Sequence, residues 1–343
     1  MKRHIYYLLA ALVVAGFTAC SEDKDWGMEG QSLIQVIKSD VLFQAAAGTG
    51  TVVFNASEAV TVETDCNWCT ATINGNTVNV SVTENGNLEG RTAQLILRCG
   101  PDSVHVMVQQ NGLVFQLSAG SEIATNSDEA HSLTYEMSAN VPLTFEPNED
   151  WFNVTSDGEH LKINFKENTT GHARIGILKY SSETFSGSLK VTQYDFDKDI
   201  AGPCYLTFRT QDGKFQAMNA VLSETELALP DYGWTIPVTF EPEKIRFVMY
   251  NASKMGEFEG NDVYNIVEGS GYYTWSTTVY MLFPLDYDAE SGITFFDMQD
   301  TGTWSRPIDF MSFRVFSGAP SSATSVGSLL KLYNPSIWRE TPQ

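Results

Sequence analysis

The sequence has 343 residues, with 42 acidic against 21 basic side chains and a net charge of −21. A surface this acidic repels phosphate backbones, which excludes nucleic acid as a partner on electrostatic grounds. The length suits two or three domains, and a hydrophobic content of 43% without low-complexity tracts supplies their cores.

Lys2 and Arg3 open the chain, and Ile5 to Gly16 is a nearly unbroken apolar run. At about a dozen residues it is too short to span ~30 Å of hydrocarbon comfortably. Phe17-Thr18-Ala19-Cys20 follows, and small residues ahead of a cleavage point mark a secretory signal. The Ala19-Cys20 junction resembles the lipobox of bacterial lipoproteins, with Phe17 where leucine is commoner. That resemblance implies removal of residues 1–19, lipidation of Cys20, and membrane attachment through the lipid alone. Residues 20–29, opening on Ser21-Glu22-Asp23-Lys24-Asp25, form an acidic tether.

Beyond the tether the chain repeats itself. Trp68 and Trp151 lie 83 residues apart, as do Asn85 and Asn168, Arg91 and Arg174, and Gln110 and Gln193. The apolar residues keep the same register. Val78, Val80 and Val82 alternate with polar neighbours, as do Leu161, Ile163 and Phe165, and a period of two predicts strands with one buried face. Turn residues bracket each strand: Asn74-Gly75-Asn76 and Asn85-Gly86-Asn87 in the first copy, Asp157-Gly158-Glu159 and Asn168-Thr169-Thr170 in the second. Short strands separated by turns over about 80–85 residues predict two-sheet antiparallel sandwiches.

A Trp after a strand, a Glu-Asn turn (Glu84-Asn85, Glu167-Asn168), an Arg opening the next strand and a terminal Val-x-Gln resemble BACON domains. These are immunoglobulin-like sandwiches of Bacteroides-group lipoproteins, named for a carbohydrate-binding role. The resemblance covers residues 30–112 and 113–196 as two tandem domains. It also implies that the acidic residues after Cys20 act as an export tag to the outer face of the outer membrane. Trp68 and Trp151 are expected in the sandwich cores, Asn85 and Asn168 to hold turns, and Arg91 and Arg174 to pair with a carboxylate or carbonyl. The tandem copies, with no flexible linker between them, would serve as a stalk. Export permits disulfides, so Cys99 could bridge to Cys66 or Cys69, or all could stay free thiols. Cys66-Asn67-Trp68-Cys69 lacks the strand–helix setting of a redox motif, and three nearby cysteines fall short of a zinc site.

From residue 197 the repeat stops. Trp234 and Asn251 keep the spacing, but Glu257 and Ser276 stand where Arg and Gln are required, so residues 197–343 are a different, β-rich domain, expected as a sandwich or jelly roll. Strands are predicted over Cys204–Arg209, Lys244–Tyr250, Tyr272–Phe283, Gly292–Met298 and Ile308–Phe316. The whole chain is therefore expected to be all-β. This last domain holds 24 of the 41 aromatic residues. Sugar rings present apolar C–H faces and hydroxyl edges, so flat aromatics beside polar groups suit them. Trp234, Trp275, Trp304 and Tyr273 are the candidate glycan-binding residues, with Tyr273 and Trp275 on one face of their strand.

Catalytic chemistry finds little support. No histidine follows His172, no glycine-rich phosphate loop is present, and Cys204 has no local base. The carboxylates Glu224, Glu226, Asp286, Asp288, Glu290, Asp297, Asp300 and Asp309 read as solvated surface, and Asp286–Glu290 lacks the glycine-centred spacing of a calcium loop. No catalytic residue, metal or cofactor is expected. The sequence points to a non-catalytic surface lipoprotein that binds a glycan, polysaccharide or mucin-type, through its C-terminal domain. The alternative is an adhesin or scaffold that docks a protein partner on the cell surface or host.

Overall fold

The computed structural model describes residues 32–288 and 293–339. The export signal, Cys20 and the acidic tether lie outside the described residues. Strands dominate, and the helical element among the described residues is one π-helical turn, Phe196–Ile200. The described residues divide into two compact units: 32–41, 49–81 and 93–108 form one, and 42–48, 82–92, 109–288 and 293–339 form the other.

The first sandwich has one sheet in the order Ile34–Asp40, Gly48–Ala56, Thr77–Val82, Cys69–Asn74, and a second in the order Leu42–Phe43, Asp102–Gln110, Arg91–Cys99, Val60–Thr64. Val78, Val80 and Val82 are buried as the alternation requires, together with Val52, Phe54, Leu95 and Leu97. Cys66, Cys69 and Cys99 are free thiols, as is Cys204. Burial, helped by neighbouring Cys66 and Asp65, pushes the Cys69 thiol up to about 11, so it is a protonated core residue at neutral pH.

The second sandwich repeats the plan. Phe152–Ser156, His160–Phe165, His131–Ala139 and Phe115–Leu117 form one sheet; Glu122–Asn126, Ser186–Tyr194, Arg174–Ser181 and Thr144–Pro147 form the other. In each sandwich a short early strand pairs parallel with the last one, Leu42 with Gln109 and Glu122 with Lys190. Trp151, Phe152, Leu161, Ile163, Phe165, Leu178 and Val191 make one core.

Among the described residues every strand pair of the C-terminal domain is antiparallel, in a fourteen-stranded, nearly closed system. Its centre is the long strand Ser325–Trp338. The N-terminal half pairs with Phe310–Phe316, whereas the C-terminal half runs between Gly202–Arg209 and Ile293–Asp297, so that Trp338 faces both Tyr205 and Phe295. Asn334, with φ 48°, sits where the strand changes partners. Asn tolerates that left-handed region better than most side chains. Phe247, Phe283, Phe296, Phe313, Leu332 and Ile337 are fully buried between the layers.

Tyr272–Phe283, expected as one strand, is not continuous. Tyr272–Tyr273 is a two-residue strand, and pairing resumes only at Tyr280. Between them the hydroxyls of Thr274 and Ser276 accept backbone N–H bonds from Ser276 (3.2 Å) and Thr278 (3.3 Å). Such local bonds compete with a sheet ladder. Strands that the sequence did not announce include Phe215–Leu222, Ser253–Phe258, Asn261–Gly269 and Ser325–Trp338.

Within the larger unit, the second sandwich and the C-terminal domain share a core: Ala173, Tyr194, Phe196 and Ile200 join the aromatic cluster of the last domain. The π-helical turn at this junction buries Asp199, whose Oδ2 accepts the Asp195 N–H at 2.8 Å while its Oδ1 has no partner. Burial raises the pKa of that carboxyl, with Asp128 and Asp195 adding to the effect. The folded state thus holds the proton more tightly than the unfolded chain, and stability falls as pH rises through the raised pKa. Asp199→Asn is expected to be at least as stable as the parent at pH 7 and to lose this part of the gain on acidification. Melting curves of both proteins across the acid range test it; an unchanged pH dependence in the variant would refute the assignment.

Candidate functional site

The repeated polar residues form structural locks. Asn85 Nδ2 donates to the carbonyls of Glu89 and Asn111, both at 2.9 Å, and Asn168 Nδ2 to the carbonyl of His172 at 3.0 Å and to Asp128 Oδ1 at 3.1 Å. Arg91 Nε donates to Gln110 Oε1 (2.9 Å) and its Nη2 to the Thr83 carbonyl (2.7 Å). Arg174 makes the same contacts with Gln193 (3.1 Å from Nε, 2.7 Å from Nη2) and with the Lys166 carbonyl (2.6 Å). Its guanidinium also covers the buried Trp151, 4.7 Å from the ring centroid. The arginines therefore find carbonyl oxygens, as expected, and the repeated glutamine supplies one of them.

The C-terminal aromatics divide sharply. Trp234 is 6% exposed, donates its indole N–H to the Glu257 carbonyl at 3.1 Å, stacks on Tyr232 and meets Phe313 edge-on. Gly256 leaves room for it: a Cβ there would stand 2.5 Å from Cδ1 of the indole. Trp234 is thus corrected from candidate ligand residue to core, because its ring faces and its N–H are already used.

Trp275, Tyr273 and Trp304 gather around one hairpin. Strand Asn261–Gly269 reverses through Ser270 (φ 51°) and Gly271 (φ 79°) into Tyr272–Tyr273. Two successive positive φ values make a tight turn that suits the twist of antiparallel strands, and glycine accepts its share without a Cβ clash. Glu268 lies opposite Tyr273 and Gly269 opposite Tyr272, and directly opposed residues share a face. The hairpin consequently has two aromatic faces.

On the first face, Tyr273 lies 6.0 Å from Trp275, which is 44% exposed. The Arg314 guanidinium covers Tyr273 at 4.0 Å and pairs with Glu268 at 2.9 Å, a pair with little solvent access. Ser312 Oγ donates to the same carboxylate at 2.5 Å. The charges here cancel, leaving an exposed indole beside a fixed phenol. On the second face, Tyr272 is 58% exposed beneath the Arg306 guanidinium, 4.1 Å from its ring. The Pro307 carbonyl occupies the space that a side chain at Gly269 would need, and Trp304, half-buried against the core, lies beside it with Cζ3 3.1 Å from that position.

Residues that sequence reasoning missed hold the hairpin in place. Asn251, fully buried, donates from Nδ2 to the carbonyls of Thr274 (2.9 Å) and Ser276 (3.0 Å) and accepts the Val267 N–H at Oδ1 (2.8 Å). Its coincidental place in the repeat spacing gave no reason to select it. Asp300 caps the loop that carries Trp304 and Arg306, accepting N–H bonds from Gly302 (2.9 Å) and Ile308 (3.0 Å). Asp309 ties that loop to the hairpin through the Ser270 N–H at 2.7 Å. These two acids therefore shape backbone.

A cleft of about 950 Å³ lies between the second sandwich and the C-terminal domain, lined by both signs of charge, including Lys190, Arg246, Asp286 and Asp297. None of the aromatic candidates borders it. Among the described residues no group of three His, Cys, Asp or Glu side chains could hold a metal ion; Ala289 and Glu290 of the acidic run lie outside them.

No curated protein matches the chain. Among solved structures, the chain is similar to an endo-fucoidan hydrolase of glycoside hydrolase family 107, 12% identical over 51% of this chain and 30% of that one, with a TM-score of 0.26. It thus spans less than a third of that hydrolase. It is also similar to an I-band fragment of titin, 8% identical over 79% of this chain and 95% of that one, with a TM-score of 0.27. The BACON family, described as "Putative binding domain, N-terminal", matches residues 57–111 and 141–194. The chain therefore carries two tandem BACON domains, each within one of the two immunoglobulin-like sandwiches, followed by a C-terminal domain to which no family is assigned.

Proposed function

We propose that this protein is a non-catalytic lipoprotein of the outer membrane, displayed at the cell surface, that binds glycans through its C-terminal domain while the BACON domains serve as its stalk. The observation that carries the glycan reading is the Trp275–Tyr273 face: an exposed indole held beside a phenol on a hairpin pinned by buried polar bonds. Such a surface suits the C–H face of a sugar ring, and preorganisation lowers the entropic cost of binding. Support for the display comes from the signal-like start, the lipobox-like Ala19-Cys20 junction and the acidic residues after it. The binding role agrees with the description of the BACON family.

Trp275→Ala removes a side chain that is already half in solvent, so the fold is expected to persist. Affinity for a cognate glycan is expected to fall about tenfold or more, as for a central aromatic anchor. A glycan array on the full-length protein in detergent, followed by titration of the variant, checks this. No glycan bound, with a cell-surface protein recovered instead, would favour docking of a protein partner.

A further inference from the structure

We infer that the opposite face of the same hairpin, Tyr272 with Arg306, is a second subsite that takes an acidic substituent, a carboxylate or sulfate, on the glycan. The inference rests on the proposed glycan-binding role of the hairpin but concerns a different set of side chains.

Arg306 is unusual in this chain. Seven other arginines fall among the described residues. Arg98, Arg246 and Arg314 pair with carboxylates. Arg91 and Arg174 donate to glutamines, and Arg209 and Arg339 to backbone carbonyls. Among the described residues Arg306 alone of the arginines gives no N–H to a protein acceptor, in a protein with 42 acidic side chains. It is nevertheless held, because its guanidinium lies 4.1 Å above the Tyr272 ring. A guanidinium held over an aromatic face keeps its N–H donors, which lie in its own plane, free of the ring, and that fork matches the two oxygens of a carboxylate or sulfate.

The surroundings supply the rest of a subsite. Trp304 borders the position over Gly269, which the Pro307 carbonyl fills, and Gly269 lies opposite Tyr272, so Trp304 flanks the face that bears Tyr272 and Arg306. The loop that bears Trp304 and Arg306 is fixed by Asp300 and Asp309. The protein's net charge of −21 opposes an acidic ligand at long range. At physiological salt, however, the screening length is about 8 Å, so contact with one unpaired guanidinium outweighs distant carboxylates. A purely structural role for the Arg306–Tyr272 stack predicts no discrimination between acidic and neutral sugars.

The test uses the full-length protein in detergent and oligosaccharides that differ only in charge: chondroitin sulfate and polygalacturonate against their desulfated and carboxyl-reduced forms. The acidic forms are expected to bind roughly tenfold tighter, the scale of one charge-assisted hydrogen-bond pair. Raising the salt should shrink that preference. Arg306→Gln is expected to abolish it while leaving neutral affinity and the melting temperature unchanged, and Arg306→Lys, which keeps the charge but loses the fork, should retain only part. Equal binding of acidic and neutral forms, or a preference that survives Arg306→Gln, overturns the acidic subsite but leaves glycan binding standing. Binding of none of these sugars overturns both.

Discussion

Gln193→Leu is expected to destabilise the second sandwich by about 3–4 kcal/mol, although leucine nearly matches glutamine in size. Gln193 is fully buried and works in both directions. Its Oε1 accepts two N–H bonds from Arg174, and its Nε2 donates to the Ser127 carbonyl at 2.9 Å. Hydrogen bonds to a charged group are worth roughly 1.5–3 kcal/mol, and a buried carbonyl left unpaired costs about 1–3 kcal/mol more. Arg174 is itself partly buried, and that burial already lowers its pKa. Losing Oε1 leaves the guanidinium with the Lys166 carbonyl and the face of Trp151 as its remaining contacts noted above. Chemical denaturation of Gln193→Leu, Arg174→Leu and the double variant would show the coupling: the double should cost clearly less than the sum of the singles. Additive costs, or a loss below about 1 kcal/mol for Gln193→Leu, would mean that the lock contributes little. Gln110 binds the carbonyls of Ala45, Ala46 and Thr83, so Gln110→Leu should behave alike in the first copy.

Asn251→Ala is expected to cost the C-terminal domain about 3–5 kcal/mol and, under the proposed glycan-binding role, to weaken that binding as well. Three backbone groups lose their partner at once: the Thr274 and Ser276 carbonyls and the Val267 N–H. At roughly 1–3 kcal/mol for each buried group left unsatisfied, partly relieved by water entering the cavity, the sum falls in that range. Asn251→Asp separates the two ends of the side chain. It keeps the acceptor for Val267 but turns an oxygen toward two carbonyl oxygens, so it should be nearly as harmful near neutral pH. The released carbonyls flank Trp275, and a hairpin no longer fixed at that point must be ordered by the ligand. Titration at a temperature where the variant is still folded should therefore show weaker binding with an unchanged Trp275. Full affinity in a destabilised variant would separate the pin from the binding face.

How far these positions could be foreseen differs between the halves of the molecule. In the sandwiches the information is local and duplicated. Period-two alternation assigns Val78, Val80 and Val82 inward, and buried they are. The shared spacing of Asn, Arg and Gln marks the residues that close each turn, because one fold solved twice leaves the same polar residues at the same positions. In the C-terminal domain nothing is duplicated. Strand Ser325–Trp338 was missed because its exposure pattern is mixed: it leaves one partner for two others along its length, so no single face stays buried. Tyr272–Phe283 reads as a strand by composition, yet the Asn251 side chain and two hydroxyls divert its middle.

The sequence alone determined that the protein is all-β, that two immunoglobulin-like copies precede a different aromatic-rich domain, and which polar residues lock the copies. Each follows from periodicity, turn chemistry and repetition, which are properties of neighbours along the chain. Only the tertiary structure decided which aromatics face solvent. Trp234 and Trp275 sit in similar polar-aromatic stretches, but Gly256 opens a core slot for one indole, and a buried asparagine far away in sequence holds the other at the surface. The split of the hairpin into a charge-neutral face and an Arg306 face arises in the same way, from cross-strand register and from contacts between residues distant in the chain.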